Sequence, residues 1–310
     1  MKPLTHLKKI RILRNIFLSL SAIFALATTA HAQNLNLYVS ANAPGSHKIF
    51  EFTPEGAQSV YASGLDNPRG LAFDSSGSNL FATTAHDVDN IEIGKVLKFN
   101  VLNHVSTLGS AAKFFFEGLA TDIAGNTYVL ANDDTSPTNA GTIFKFTPSG
   151  ERIVFGSIPG QGWGLAFDSG GNLYAAQGPV NLGGDSVIFK FAPNGYRTVF
   201  VGTGGPNGFN PGEYPVGLAF NSNGNLFVSI ETFSEAGADS IVYFDTNGRH
   251  LFASGLTFPR GLAFDSSGVL FVAEANAFPV GDILKFDTGG PHVFASGFGR
   301  PEFLTFGPPR

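Results

Sequence analysis

Residues Gly261 to Ala273 read GLAFDSSGVLFVA, and the same string, with substitutions, opens at Gly70, Gly118, Gly164 and Gly217. Each copy holds two short apolar runs separated by a turn rich in Ser, Gly and Asn. Within a run the side chains alternate: Leu71 and Phe73 point to one face and Ala72 to the other, the period of a strand and not of a helix. Working outward, each copy continues into a variable loop, a third run such as ILKF (Ile283 to Phe286) and a fourth such as VFASG (Val293 to Gly297). A degenerate sixth inner run, FLTF, begins at Phe303. Successive starts lie 48, 46, 53, 44 and 42 residues apart. Periods in the forties with four short strands per copy predict propeller blades, because each sheet is apolar on both faces and buries them by stacking on its neighbours. Gly and Ala in the inner runs suit positions near the axis, where blades approach most closely.

The ends of the series predict how the ring closes. Leu35 to Ser40 (LNLYVS) reads as a second strand and Lys48 to Phe52 (KIFEF) as a third, yet no inner strand precedes them. The missing strand is Phe303 to Phe306. Pairing the two termini in one sheet completes a blade and removes two open edges. The expected fold is an all-β, six-bladed β-propeller with four antiparallel strands per blade, occupying 33–310 as a single domain.

Residues 1–32 read as a secretory signal. Five of the 19 basic residues (Lys2, Lys8, Lys9, Arg11, Arg14) lie in the first fourteen positions. An apolar run from Ile16 to Ala30 and the Ala30-His31-Ala32 cleavage pattern follow. A secreted or periplasmic location, with cleavage after Ala32 and no membrane attachment afterwards, is expected.

Composition agrees and narrows the chemistry. The 310 residues include 39 Gly and 32 Phe but only 14% charged side chains, as suits a regular all-β chain. There is no Cys, which excludes disulfides, cysteine zinc sites and thiol nucleophiles. The net charge is -5, and without the five leader cations the balance is 14 basic against 24 acidic residues, which argues against nucleic acid as a partner.

The GLAFDSSG-NLFVA strings and the TPSG and APNG turns resemble NHL-repeat propellers and the related gluconolactonase and strictosidine synthase-like superfamily, over essentially the whole mature chain. The resemblance implies the fold; its members include hydrolases, lyases and interaction scaffolds, so it implies no single activity. Gluconolactonase-like members hold a divalent metal with Glu and with Asn or Asp at the starts of inner strands. Here only Glu117 and Glu302 occupy such slots, with Arg69 between them, so the resemblance does not carry that metal site over.

Residues that recur in every blade build the blade, whereas unique residues are candidates for function. Asp74, Asp122, Asp168 and Asp265, with Asn221 in the same slot, precede turns whose amides they can cap. Lys98, Lys145, Lys190 and Lys285 recur near the ends of third strands, and His250 and His292 share a register in fourth strands. The unique residues are those just before each inner-strand Gly: Arg69, Glu117, Trp163, Val216 and Arg260, with Glu302 in the closing strand. They are expected to ring the pore mouth. One reading is a ligand socket, with Arg for an anion, Glu for hydroxyls and Trp as a flat wall; the other is a plug of mutual ion pairs. The non-repeating loops add the acids Asp133, Glu231 and Glu274 to the same face. Asp87 to Glu92 (DVDNIE) spaces oxygen ligands loosely like a calcium loop but lacks the glycine of an EF-hand turn. His47 and His86 have no partner identifiable from spacing.

Two functions follow as expectations. The first is a monomeric binding or scaffold propeller that engages a small molecule, glycan or protein through its loop face, without a cofactor. The alternative is a metal-dependent lactonase or esterase-like hydrolase, or a lyase, using Asp133, Glu231 and Glu274; no catalytic residue is assigned.

Overall fold

The computed structural model describes residues 35–43, 47–88, 91–178, 185–232, 238–275 and 281–309. The leader at 1–32 lies outside the described residues, as do Asp89 and Asn90 of the calcium-like loop. Among the described residues there are strands and no helix.

The strands in chain order are β1 (Asn36–Ala41), β2 (Lys48–Phe52), β3 (Gln58–Ser63), β4 (Leu71–Phe73), β5 (Asn79–Val88), β6 (Ile91–Asn100), β7 (Val105–Ala112) and β8 (Phe114–Thr121). They continue as β9 (Thr127–Asp133), β10 (Gly141–Phe146), β11 (Arg152–Ile158), β12 (Gly162–Phe167), β13 (Leu173–Gln177), β14 (Val187–Phe191), β15 (Arg197–Val201) and β16 (Tyr214–Phe220). The last third holds β17 (Leu226–Glu231), β18 (Asp239–Asp245), β19 (Gly248–Leu256), β20 (Pro259–Phe264), β21 (Leu270–Glu274), β22 (Asp282–Asp287), β23 (Gly290–Ser296) and β24 (Pro301–Gly307).

Strands β12 to β15, β16 to β19 and β20 to β23 each form a four-stranded antiparallel sheet, and a fourth such sheet has the order β24-β1-β2-β3. In that last sheet Leu37 faces Phe306 and Val39 faces Leu304, so the two ends of the chain share it as expected. Strands β4 to β11 make one eight-stranded sheet, in which the groups β4 to β7 and β8 to β11 meet at a single parallel bridge between Ile93 and Phe114. The first strands form a closed ring, with β4 on β8, β8 on β12, β12 on β16, β16 on β20, β20 on β24 and β24 back on β4. This is a β-propeller.

Two sequence features make the ring possible. A methyl group placed on Gly70 would lie 2.6 Å from Glu117 O and 2.7 Å from Leu119 N, and one on Gly118 would collide with the backbone of Trp163. The inner strands are therefore glycine at the point of closest approach because neighbouring backbones touch there. The second feature is a bulge. Between each third and fourth strand the register slips at a matching place, and the residue skipped there is Tyr61, Leu108, Phe155, Phe200, Phe252 or Phe294; β18 and β19 slip a second time, at Gly255. A bulge re-aims a side chain, and five of these six are aromatic.

Those five point into the junction with the next sheet. Tyr128 on β9 meets Phe155 of its own sheet at 5.0 Å and Phe167 of the next at 5.1 Å, both edge to face. The same triad recurs as Tyr38/Tyr61/Phe73, Tyr174/Phe200/Phe220, Phe227/Phe252/Phe264 and Phe271/Phe294/Phe306. Each ring pair adds about 0.5–1.5 kcal/mol beyond its buried area, which accounts for much of the Phe content. The sixth junction differs. Phe81 packs beside Leu108, and Thr121 stands where the other inner strands end in Phe, donating its hydroxyl to Phe73 O at 2.6 Å. This is the junction at which the two groups of the eight-stranded sheet are fused.

Candidate functional site

The pore residues are placed by what surrounds their backbone. Pro68, Pro215, Pro259 and Pro301 directly precede Arg69, Val216, Arg260 and Glu302, and the fixed φ of proline limits how the chain enters each inner strand. Hydroxyls then clip the backbone to the adjacent sheet. Thr83 accepts from Gly70 N at 2.7 Å and donates to Glu117 O at 2.6 Å. Ser229 accepts from Gly217 N and donates to Arg260 O, both at 2.7 Å. Ser40 accepts from Phe303 N at 3.1 Å and donates to Arg69 O at 2.5 Å.

Upstream of Arg260 the chain is strained. Phe258 has φ 50°, a left-handed conformation costing a bulky residue roughly 1–3 kcal/mol. Two acids hold it there: Thr257 N donates to Glu274 Oε1 at 2.7 Å and Phe258 N to Asp239 Oδ2 at 2.8 Å. Glu274, expected as a loop-face acid, thus anchors the approach to Arg260.

The charged pore residues form a connected network. Arg69 Nη1 lies 3.1 Å from Glu117 Oε2 and 3.6 Å from Glu302 Oε2. Arg260 Nη1 lies 3.2 Å from the same Glu302 oxygen, and its Nε is 3.3 Å from Glu231 Oε1. Arg300, nearer the surface, brings its Nε to 2.9 Å from Glu302 Oε1. Each of the two deep arginines also covers a ring, Arg69 over Phe115 at 4.8 Å and Arg260 over Trp163 at 5.4 Å. Glu117, Glu231, Arg260 and Glu302 are buried, and neither carboxylate oxygen of Glu231 is hydrogen-bonded. Burial pushes the Glu117 carboxyl up to about 7 against the pull of Arg69, with the Glu302 charge adding to the rise. Burial also raises Glu231, opposed by Arg260.

Three members of the expected ring border one cavity. A cavity of about 230 Å³ is lined by Arg69, Glu117 and Trp163, together with Phe115, Asn132 and Gln161 and the exposed Asp134 and Asn139. Arg260 and Glu302 are not among its lining residues; both are buried, and Arg260 forms ion pairs with Glu302 and with Glu231. Val216 is buried. Phe115 and Gln161 went unnoticed in the sequence; each stands two residues before a pore residue, Phe115 on β8 and Gln161 just ahead of β12. Asn132 fixes the wall: its Nδ2 donates to Gly162 O at 3.0 Å and its Oδ1 accepts from Gly162 N at 2.8 Å.

The three loop-face acids do not gather. Glu231 closes β17 inside the pore on Arg260, so it is no loop-face acid. Asp133 caps its own turn, accepting from Thr135 N at 2.9 Å and Thr135 Oγ1 at 2.7 Å, and those bonds hold its carboxyl below the usual range. Glu274 serves Thr257 as described. The residues at the inner-strand starts do not fit a divalent metal, since Arg69 stands between Glu117 and Glu302 and like charge would repel the ion. Among the described residues no three His, Cys, Asp or Glu converge to hold a metal ion. Asp87 pairs with Glu92 and Val88 with Ile91 as strand partners, and Asp89 and Asn90 between them lie outside the described residues.

The recurring residues behave as turn and rim chemistry. Asp122 Oδ1 accepts from Ala124 N and Asn126 N at 2.9 Å, and Asp74, Asp168, Asp265 and Asn221 cap equivalent turns. Lys145, Lys190 and Lys285 lie over Tyr128, Tyr174 and Phe271. His250 stacks on Tyr243 and pairs with Asp245 at 3.0 Å. His86 and His47 do have neighbours, Asp66 at 3.4 Å and Leu65 O at 3.2 Å.

No protein-family model and no curated protein matches the chain. Solved structures do. A gluconolactonase from Xanthomonas campestris aligns at 14% identity over 78% of this chain and 88% of its own, with a TM-score of 0.52. The PQQ-bound aldose sugar dehydrogenase of Streptomyces coelicolor aligns at 17% identity over 78% and 86%, with a TM-score of 0.57. Kuenenia stuttgartiensis hydrazine synthase aligns at 8% identity and a TM-score of 0.67 over 90% of this chain and 48% of that one. The chain thus has a gluconolactonase-like β-propeller fold. At these identities the likeness is one of fold.

Proposed function

We propose that this chain is a six-bladed propeller of the NHL type, exported and cleaved after Ala32, that acts as a monomeric binding module and takes a small molecule in the pore-mouth cavity. Reading the eight-stranded sheet as two blades gives the count of six. The fused junction between those two blades has its own packing, and that is where Arg69, Glu117 and Phe115 come together. One observation carries the binding reading: the cavity is walled by an arginine, a buried carboxyl and two aromatic rings, while the acids that chemistry would need are committed to structural partners. Pockets with apolar walls and a few convergent polar groups are the usual form of a ligand site. Trp163 is the sole Trp of the chain, so a screen of small sugars, acids and amines read by its fluorescence tests the proposal. A saturable change removed by Arg69→Gln and Phe115→Ala supports it; no change with any compound counts against it.

The second reading, a metal-dependent lactonase, is favoured by the likeness of fold to the X. campestris gluconolactonase. It requires a stoichiometric divalent ion in the purified protein and lactone turnover that a chelator abolishes.

A further inference from the structure

The network behind the cavity wall holds three guanidinium groups, of Arg69, Arg260 and Arg300, facing the carboxyls of Glu117, Glu231 and Glu302. Two of those carboxyls are raised by burial, Glu117 to about 7. At neutral pH the Glu117 carboxyl is therefore partly protonated, which leaves Arg69 with less than a full countercharge from it. Only one of the three guanidiniums lies in the cavity wall, that of Arg69, and the carboxyl it pairs with at 3.1 Å, Glu117, lies in the same wall. A carboxylate entering the cavity would meet Arg69 between the rings of Phe115 and Trp163. The volume, about 230 Å³, is below the roughly 300–1,000 Å³ of pockets for drug-sized molecules, and suits a single ring bearing one small group.

We infer that the cavity binds a small planar carboxylate, with the ligand replacing Glu117 as the partner of Arg69 and Glu117 taking up a proton as it is displaced. This rests on the binding reading above and names its ligand class. The exchange is balanced: the ligand anion and one solvent proton enter, the Arg69–Glu117 ion pair becomes an Arg69–ligand pair, and Glu117 becomes a neutral acid able to donate a hydrogen bond. The charged groups acting on Glu117 are Arg69 before β4, Glu302 on β24, Arg260 on β20 and Arg300 ahead of β24; Asp134, beyond the end of β9, shares the cavity wall. Affinity is highest below pH 7, where Glu117 already holds its proton. Above that it falls up to tenfold per pH unit, because each binding event must then draw a proton from solvent.

The test uses the mature protein with benzoate as probe and benzyl alcohol as its neutral counterpart. Binding is read by Trp163 fluorescence at pH 6 and pH 8 and by calorimetry in two buffers of different ionisation enthalpy. Benzoate is expected to bind at least tenfold more tightly than benzyl alcohol at pH 6, to weaken about tenfold by pH 8, and to bring close to one proton with it at pH 8. Glu117→Gln should bind benzoate with no proton uptake and no pH dependence over that range. That variant keeps Arg69, so the proton count stands even if Arg69→Gln fails to fold. Benzyl alcohol binding as tightly as benzoate, or benzoate binding without proton uptake at pH 8, overturns the inference and leaves the binding reading intact. If neither probe, nor any sugar or amine, alters Trp163 fluorescence, both fall together.

Discussion

The pore has two sides built from the same parts. On one, Arg260 lies between Glu231 and Glu302, both carboxylates are inaccessible, and Trp163 covers the guanidinium. On the other, Arg69 lies between Glu117 and Glu302 in the same way, yet its side chain keeps 11% of its surface exposed and borders a cavity. The difference lies in the walls. The sealed side joins sheets through complete aromatic triads. The open side adjoins the fused junction, where Thr121 replaces an aromatic and the long β5–β6 hairpin meets β8. A plug and a socket are thus two states of one motif, decided by how completely the neighbouring sheets fill the space above the arginine.

The largest effect that separates the sides is the loss of their arginines. Arg260→Met leaves the buried Glu231 without its arginine and takes one of three from Glu302, and is expected to cost about 3–5 kcal/mol. Arg69→Met should cost less, about 1–3 kcal/mol, since water in the cavity can reach Glu117. Equilibrium unfolding in urea measures both, and equal losses would erase the distinction.

A somewhat smaller effect concerns pH. The Glu117 carboxyl has a model-peptide value of 4.5 and a folded value of about 7. Its protonated form is therefore favoured by folding, so its contribution is fully present below pH 4.5 and is lost as pH rises through 7. The difference is on the order of 3 kcal/mol. Glu117→Gln should flatten this part of the stability profile between pH 5 and 8, and an unchanged slope in that variant would assign the pH dependence to another group.

The smallest effect separates the backbone clips. Thr83→Val and Ser229→Ala each remove a hydroxyl that bridges one inner-strand amide and one pore carbonyl, a loss of about 1–3 kcal/mol. Their stabilities should drop alike. Only Thr83→Val should also change the Trp163 response to benzoate, because Thr83 fixes the carbonyl of Glu117 whereas Ser229 fixes that of Arg260.

Much of the scaffold was legible because its constraints are local. Alternation in GLAFD and the glycine before it report a strand pressed against another backbone, and the misplaced inner run at Phe303 reports the shared sheet. The pore slots could be counted, since they sit at one fixed place in each repeat. What lay hidden depends on contacts between repeats. The skipped aromatics Tyr61, Phe155, Phe200, Phe252 and Phe294 break the period of two that a strand reading relies on, so alternation does not say which way they point. Glu231 sits in a stretch that resembles a loop, and its burial follows only from Arg260 arriving out of the next sheet. The division of the ring into a sealed and an open side was likewise invisible, because nothing in the order Arg, Glu, Trp, Val, Arg, Glu says which guanidinium borders a cavity.

The slipped register of the outermost strands has a consequence for how the molecule behaves in a crowd. A ring of sheets presents its fourth strands outward, and here they carry apolar side chains in the open: Val60 is 53% exposed, Val154 66%, Val199 62%, Leu251 65% and Val293 53%. Straight apolar edges of that kind are templates for stacking one molecule on another and, in the extreme, for fibril growth. Each of these residues lies immediately beside the bulge. An incoming strand could follow the edge for a few residues before the ladder of amides and carbonyls falls out of step, so the device that seats an aromatic ring between sheets also makes every outer edge a poor seed for aggregation.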